Sequence, residues 1–214
     1  MKTNPAAVQD ICARTKNVKV VAATKYIEAD QLASLVQNGI TIFGENRVQA
    51  FLEKYQQYQG PGHWHFIGSL QTNKVKDIID KVELIHSVDT YRLIDEIEKQ
   101  SSKRNLQTNI LLEVNIAKEE SKHGFEKEEI PEVLEYLKKC THINVQGFMM
   151  MAPFIEPEET RPFFQEMHQL LLSMQKQFPQ YELHELSMGM SNDYVIAIEE
   201  GATIVRIGRA LFCE

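Results

Sequence analysis

Residues 18–30 read VKVVAATKYIEAD, and this stretch decides between the two folds that alternating strands and helices can form. Residues 18–23 are nearly all apolar, which is typical of a parallel strand buried on both faces. An open dinucleotide-binding sheet would continue this first strand into a GxGxxG phosphate loop. The sequence has ATKYIEAD at that place, so we favour a closed barrel over an open doubly wound sheet.

Seven further β-rich segments follow, spaced by about 26 residues on average, which is the length of a βα unit. The predicted strands are 18–23, 40–43, 64–67, 84–88, 110–114, 145–150, 185–187 and 203–207. Segments with apolar residues at helical spacing lie between them, the clearest at 163–174. We predict an α/β protein with one domain over residues 1–214, a (β/α)₈ TIM barrel with an extra helix before residue 18.

Composition narrows the function classes. The chain has 214 residues, a net charge of −7 and 43% hydrophobic residues, which is ordinary for a globular protein and unfavourable for binding nucleic acid. No apolar run approaches the roughly 20 residues that span a bilayer, and the N-terminus does not resemble a signal peptide. The three cysteines are far apart, so neither disulfides nor a thiolate metal site is predicted. We expect a cytoplasmic protein without a membrane partner.

In such barrels the chemistry lies where strands end, and the first predicted strand ends at Thr24 and Lys25. An amine at the mouth of an apolar barrel is partly desolvated, which leaves it nucleophilic toward carbonyl groups. Lys25 is therefore a candidate for Schiff-base chemistry. The alternative is a lysine that simply extends to water, and the residue type alone does not decide between them.

The last predicted strand leads into a second candidate site, within TIVRIGRALF at 203–212. Free backbone amides at Gly208 and Arg209 would form an anion site, as TIM barrels often do after their last strands. Ser187 and Ser191, from the preceding strand and its loop, could add hydroxyl donors to a phosphate. The alternative is that Gly208 only makes a turn and Ser191 only caps a helix.

Arg206 lies on a strand whose neighbouring residues are apolar, so its side chain is expected to project into the barrel mouth. A buried guanidinium needs an acceptor. The carboxylate of Glu45 or a heteroaromatic ring nitrogen could supply it, and the sequence leaves both open.

Five sequence motifs, which occur in this order along the chain, contain the candidate residues. They are VVAATKY at 20–26, FGENRVQ at 43–49, HFIGSLQTNK at 65–74, GFMMMAP at 147–153 and LSMGMSNDYVIAIEEGATIVRIGRALF at 186–212. With them the chain resembles, over essentially its whole length, the YggS/PROSC (YlmE-like) family of pyridoxal 5′-phosphate (PLP) homeostasis proteins. The resemblance implies the alanine-racemase-like barrel of PLP fold type III, without a C-terminal β-domain.

The resemblance also implies roles for the candidate residues. Lys25 would carry PLP as a Schiff base, and Ser191 with the amides of Gly208 and Arg209 would hold its phosphate. Arg206 would face the pyridine nitrogen and keep it unprotonated, which makes the ring a weaker electron sink.

Three further residues, Asn46, His65 and Met188, are implied to line the pocket around the ring. The chain also departs from the family pattern at two places. Arg209 stands where many members have a small hydroxyl residue, and the chain ends in Phe212, Cys213 and Glu214 where many end in FG.

The resemblance favours a carrier or regulator in intracellular PLP (vitamin B6) and amino-acid homeostasis. Related alanine racemases take a second base from a C-terminal β-domain, whereas this chain ends at Glu214, so we expect little catalytic turnover. The expected partners are PLP and PLP-dependent apoenzymes, and the expected state is a monomer.

Two alternatives remain. One is a slow PLP-dependent amino-acid racemase or other PLP enzyme that uses Tyr26 or His65 to carry a proton. The other is a metal-dependent hydrolase built on the His63–His65 pair, although no other histidine has a matching ligand motif and no metal site is predicted.

Overall fold

The computed structural model describes residues 1–118 and 123–213, and these residues form a closed barrel of eight parallel strands. A short strand, β1 (Lys2–Thr3), precedes the barrel. The barrel strands are β2 (Lys19–Ala23), β3 (Ile42–Glu45), β4 (His63–Phe66), β5 (Leu84–Val88), β6 (Thr108–Glu113), β7 (Ile143–Met149), β8 (Glu185–Met190) and β9 (Ile204–Ile207). They pair in chain order, and β9 closes on β2. The predicted TIM barrel is confirmed.

Helices separate the barrel strands and cover the outside of the barrel. They are α1 (Pro5–Arg14), α2 (Leu32–Gln37), α3 (Val48–Gln57), α4 (Val75–Ile78), α5 (Tyr91–Arg104), α6 (Ile130–Leu137), α7 (Arg161–Gln177) and α8 (Tyr194–Glu199). Helix α1 lies before the first barrel strand. None of the helices in the described part of the chain is long and apolar enough to cross a membrane.

Helix α5 shows how local sequence sets these elements. Thr90 caps its N-terminus, since the Thr90 hydroxyl accepts a hydrogen bond from the Leu93 amide at 3.3 Å. Its buried face carries Leu93, Ile94 and Ile97, spaced so that they lie on one side of the helix. Asn105 ends the helix in the left-handed conformation, with φ of 53°.

The core has two layers because side chains on a strand alternate between its faces. One small cluster contains Val21, Leu84, Leu111, Met149 and Ile204. The larger cluster packs strands against helices and includes Phe43, Phe51, Phe148 and Phe164, all fully buried. Residues at the carboxyl ends of the strands are therefore held on a rigid scaffold.

The chain ends pair with each other, which the sequence analysis did not predict. Strand β1 is antiparallel to β10 (Phe212–Cys213), with Lys2 opposite Cys213 and Thr3 opposite Phe212. Phe212 and Cys213, where the chain departs from the family pattern, thus form one strand of this two-stranded sheet. Glu214 lies outside the described residues. Two-residue strands carry no periodic signal, so this pairing is visible only in the structure.

Candidate functional site

A cavity of about 430 Å³ opens at the mouth of the barrel, where the carboxyl ends of the strands meet. Its wall includes six of the predicted site residues: Lys25, Asn46, Ser191, Arg206, Gly208 and Arg209. It also includes Tyr26, the alternative proton carrier, and residues without a predicted role, among them Glu113, His123, Met151, Phe154 and Asp193. His65, Ser187 and Met188 are not part of the wall.

Lys25 lies in a short 3-10 turn, Thr24–Tyr26, directly after β2. Its Nζ is 4.9 Å from the centroid of the Tyr26 ring, and the lysine side chain is exposed. The expectation of a partly desolvated amine is therefore wrong for this structure, because the turn places Lys25 on the rim of the cavity and not inside the barrel.

A buried ion pair holds the residue before Lys25. Lys54, from α3, donates to Glu45 Oε1 at 2.5 Å and to the Thr24 carbonyl at 2.7 Å. The Thr24 hydroxyl donates to the same Glu45 oxygen at 2.5 Å. Glu45 is fully buried, and its Oε2 has no hydrogen-bond partner among the described residues. Arg206 donates to Ser187 and Met150 instead, so Glu45 is not the acceptor that the sequence left open.

Asn46 follows β3 and is kept at the cavity by close backbone packing. A Cβ atom on Gly68 would lie 2.3 Å from the Asn46 carbonyl oxygen, closer than any real contact allows. Only glycine lets the loop after β4 approach Asn46 in this way.

The residues of the predicted anion site come together at the ends of β8 and β9, where the Gly208 amide is already hydrogen-bonded and not free as expected. The amide of Gly208 donates to Ser191 Oγ at 3.2 Å, and Arg209 begins the 3-10 turn that follows. Ser191 does not cap a helix through its side chain, because α8 begins at Tyr194 and Ser191 Oγ contacts Gly208. A hydroxyl, backbone amides and an exposed guanidinium thus meet at one corner of the cavity.

Arg206 is 6% exposed and fixed by three hydrogen bonds. Its Nη1 donates to the Ser187 carbonyl at 2.7 Å and to Ser187 Oγ at 2.6 Å, and its Nη2 donates to the Met150 carbonyl at 2.8 Å. Burial lowers the pKa of Arg206 to about 10, while the nearby carboxyls of Glu113 and Asp193 oppose that shift. The guanidinium therefore stays charged at neutral pH.

A chain of hydrogen bonds continues from Arg206 into the barrel. Ser187 Oγ lies 2.8 Å from His86 Nδ1, and His86 Nε2 lies 2.9 Å from His65 Nδ1. Because arginine only donates, the arrangement that leaves no proton unpaired has Ser187 donating to His86 and His86 donating to His65. Each hydrogen bond between Ser187, His86 and His65 therefore has a defined donor and acceptor.

Both histidines are neutral in this chain. Burial, together with the charges of Lys19 and His63, lowers the pKa of His65 to about 4. Burial lowers the pKa of His86 well below its ordinary value, with His65 and Arg206 adding to the effect. His65 is buried against His86 and is not among the residues that line the cavity, so its expected place in the pocket around the ring stays a prediction.

Ser187 and Met188 are neighbours on β8 and face opposite ways. Ser187 points inward to Arg206, whereas Met188 is fully buried in the layer that packs strands against helices. Met188 is not among the residues that line the cavity, and its expected position around a ring stays a prediction. Alternation along a strand allows only one of two neighbours to face the barrel interior.

The His63–His65 pair has other partners than a metal. His63 is exposed, and its Nδ1 is 2.6 Å from Glu83 Oε1. Across residues 1–118 and 123–213, no group of three or more His, Cys, Asp or Glu side chains is arranged to hold a metal ion.

Glu113 is the most notable residue that sequence reasoning missed. It ends β6 and is 4% exposed, and burial together with the charge of Asp89 raises its pKa to about 7. A single acidic residue at the end of the apolar run ILLEV was the signal that could have identified it. Phe154, 90% exposed at the rim, carries no comparable signal.

With this geometry established, comparison with known proteins defines the class. The family model for the N-terminal domain of alanine racemase matches residues 1–214. Alanine racemase from Streptomyces lavendulae superposes with a TM-score of 0.77 at 13% identity, over 97% of this chain and 56% of that one, which shows a shared fold. The barrel is thus of the alanine racemase class.

Curated relatives narrow the class further. The pyridoxal phosphate homeostasis protein of Aquifex aeolicus is 43% identical over 97% of this chain and 93% of its own length. That of Escherichia coli is 31% identical over 94% and 88%. PipY of Synechococcus elongatus, solved with PLP bound, is 29% identical with a TM-score of 0.88 over 97% of this chain and 99% of that one. The chain belongs to the family of pyridoxal phosphate homeostasis proteins, which confirms the resemblance stated from its motifs.

Proposed function

We propose that this chain binds PLP at the barrel mouth, holds it as a Schiff base on Lys25, and acts as a carrier and regulator in PLP and amino-acid homeostasis. One observation carries the proposal: Lys25, the Ser191–Gly208 pair and Arg206 all line one cavity. The names of the curated relatives and the PLP bound to PipY support it.

The residues of the cavity fit this cofactor chemically. PLP presents an aldehyde, a phosphate and a pyridine nitrogen, and the cavity offers a primary amine, an anion site and a charged donor. A volume of about 430 Å³ lies in the range of small-ligand sites. When bound, the cofactor supplies a carbonyl group that forms a reversible covalent bond with an amine.

Each end of the cavity has a distinct task in this proposal. Ser191 and the amides of Gly208 and Arg209 hold the phosphate, and the Arg209 guanidinium replaces the hydroxyl that many family members have there. Arg206, which remains charged and only donates, offers a hydrogen bond to the pyridine nitrogen and keeps that nitrogen unprotonated.

The same geometry favours a carrier over an efficient enzyme. Of the two candidate proton carriers, His65 is buried beneath the cavity and neutral, while Tyr26 lines the cavity beside Lys25. Tyr26 keeps a slow PLP-dependent racemase or other PLP enzyme as the second candidate function. Exchange of solvent deuterium into amino acids, lost in Lys25→Ala, would favour that second function; exchange far below about 1 s⁻¹ is the result expected of a carrier.

The test of the proposal is the absorbance spectrum with added PLP, before and after borohydride reduction, followed by peptide mapping. We expect a band that is reduced onto Lys25 and is absent in Lys25→Ala. Lys16→Ala is the matched control, because Lys16 is also exposed but precedes β2 and so lies away from the mouth. A reduced adduct spread over surface lysines would contradict the proposal.

We further propose that the protein is a cytoplasmic monomer and that PLP-dependent apoenzymes receive its PLP. Light scattering of the PLP-loaded protein should give the mass of one chain. Activation of a PLP-free aminotransferase by the loaded protein should be faster than by Lys25→Ala mixed with the same total PLP. Equal rates would argue against delivery.

A further inference from the structure

Glu113 is 4% exposed at the cavity wall, and its carboxyl oxygens are open to the cavity and not sealed in the protein interior. The Glu113 backbone carbonyl accepts a hydrogen bond from Phe125 at 2.9 Å, so the main chain is engaged. From residues 1–118 and 123–213, no side chain or amide forms a hydrogen bond or ion pair with its carboxyl oxygens. A carboxylate with so little exposure and no partner is disfavoured, so it either keeps its proton or meets a cationic ligand.

The nearby cations do not serve as that partner. Arg206 donates to Ser187 and to the Met150 carbonyl, and among the described residues it forms no hydrogen bond with Glu113. The side chain of His123 is 67% exposed, and its Nδ1 lies 3.5 Å from Asp89. Asp89 itself adds negative charge beside Glu113 and raises the Glu113 pKa further.

The mouth of the barrel therefore has two electrostatic sides. Lys25, Gly208 and Arg209 follow β2 and β9, which are neighbours in the barrel. Glu113 ends β6, which is four strands away from β2 in either direction. A ligand with an anionic end and an ammonium end matches this separation of charge.

We propose that Glu113, with Asp89 behind it, forms a subsite for the ammonium group of a small primary-amine ligand whose anionic end lies at Ser191 and Gly208. This inference rests on the proposed function for the anionic end and adds the chemical class of the second group. Glu113 in its carboxylate form would accept a hydrogen bond from the entering ammonium, which keeps its proton because an alkylammonium has a higher pKa than Glu113.

Two ligands that differ at one group test the subsite. 4-Aminobutyl phosphate carries an ammonium where 4-hydroxybutyl phosphate carries a hydroxyl, and neither has a carbonyl group that could form a Schiff base with Lys25. The ratio of their dissociation constants, measured by calorimetry on the PLP-free protein, isolates the ammonium. Repulsion from Lys25 is the same in every variant and cancels when ratios are compared.

We expect Glu113→Gln to shift that ratio against the ammonium ligand by about tenfold, the worth of one hydrogen bond to a charged group. Glu156→Gln is the matched control, because Glu156 is exposed in the loop after β7 and does not line the cavity. It should leave the ratio unchanged. If Glu113→Gln does not fold, Asp89→Asn is the second variant, with a smaller shift in the same direction.

The pH dependence gives an independent readout. The charged groups that face Glu113 are Asp89 after β5, His123 in the segment after β6 and Arg206 on β9. The wild-type preference for the ammonium ligand should grow from pH 6 to pH 8 as Glu113 ionises, and this growth should be absent in Glu113→Gln.

The outcomes separate the two proposals. If both phosphates bind and the ratio stays within about twofold in Glu113→Gln, the ammonium subsite is refuted while the proposed function stands. If neither phosphate nor PLP binds, the proposed function fails and the subsite fails with it.

Discussion

Replacing Glu113 by glutamine should stabilise the ligand-free protein, and the gain should depend on pH. Burial raises the pKa of this carboxyl from the ordinary value of 4.5 to about 7. Each factor of ten in proton affinity corresponds to about 1.36 kcal/mol, so this change amounts to about 3 kcal/mol. Glutamine keeps the shape of the side chain and removes its titration.

The direction of this change in stability with pH follows from whether the folded or the unfolded chain binds the Glu113 proton more tightly. Below pH 4.5 the carboxyl is protonated in both the folded and the unfolded chain, so it contributes no difference. Between pH 4.5 and about 7 the unfolded chain releases the proton first, and the wild type loses stability as the pH rises. Above about pH 7 the loss is complete. Relative to wild type, Glu113→Gln should therefore gain about 3 kcal/mol between pH 4.5 and pH 8.

Urea unfolding of the two proteins at pH 4.5, 6 and 8 measures this difference. The lowered pKa of His65, about 4, makes stability rise with pH over the same range, but it acts in both proteins and cancels in the comparison. Glu156→Gln, at an exposed carboxylate, should show no such trend. A Glu113→Gln difference that stays constant within about 1 kcal/mol across the three pH values would refute the argument.

Three further substitutions probe the rest of the site. Lys54→Met should lower the free energy of unfolding in urea by about 3–5 kcal/mol, because it leaves Glu45 buried without its cation, and adding Glu45→Leu should recover most of the loss. Ser187→Ala should cost about 1–3 kcal/mol in the same assay, because His86 Nδ1 loses its buried partner; a value near zero would mean that this hydrogen bond is dispensable. Ser191→Ala should weaken PLP binding about tenfold in spectroscopic titration without lowering stability, and unchanged affinity would remove Ser191 from the anion site.

The barrel could be predicted because each strand is a short apolar run at the spacing of a βα unit, and because the segment after β2 lacks a dinucleotide fingerprint. The ends of the strands were predicted less accurately than the strands themselves. The second strand was predicted to end at residue 43, whereas β3 runs to Glu45, which turns Glu45 from a loop residue into a buried one. The pattern of apolar residues does not show that Gly44 and Glu45 continue the strand, because neither has an apolar side chain.

The candidate site was predictable where backbone position decides it and not where side-chain direction does. Lys25, Asn46 and Gly208 follow strand ends, so they reach the cavity. Met188 and His65 lie within strands, where the direction of one side chain depends on a register that the sequence does not show. The partner of Glu45 comes from Lys54 on α3, which only the packing of helix on barrel brings close.

The cavity combines groups that the protein holds rigidly with one exposed lysine, and this combination suits the proposed carrier function. Arg206 is fixed by Ser187 and Met150, and the histidine chain beneath it leaves the guanidinium one orientation. The Ser191–Gly208 pair is likewise set by the strand ends. These groups are pre-organised, so binding a ring and a phosphate requires little ordering of the protein. Lys25 differs, because its side chain is exposed on the rim while only its turn is anchored, through Thr24. In the proposed function, covalent attachment and release at Lys25 would therefore leave the groups proposed to recognise the cofactor undisturbed, which is what reversible holding requires.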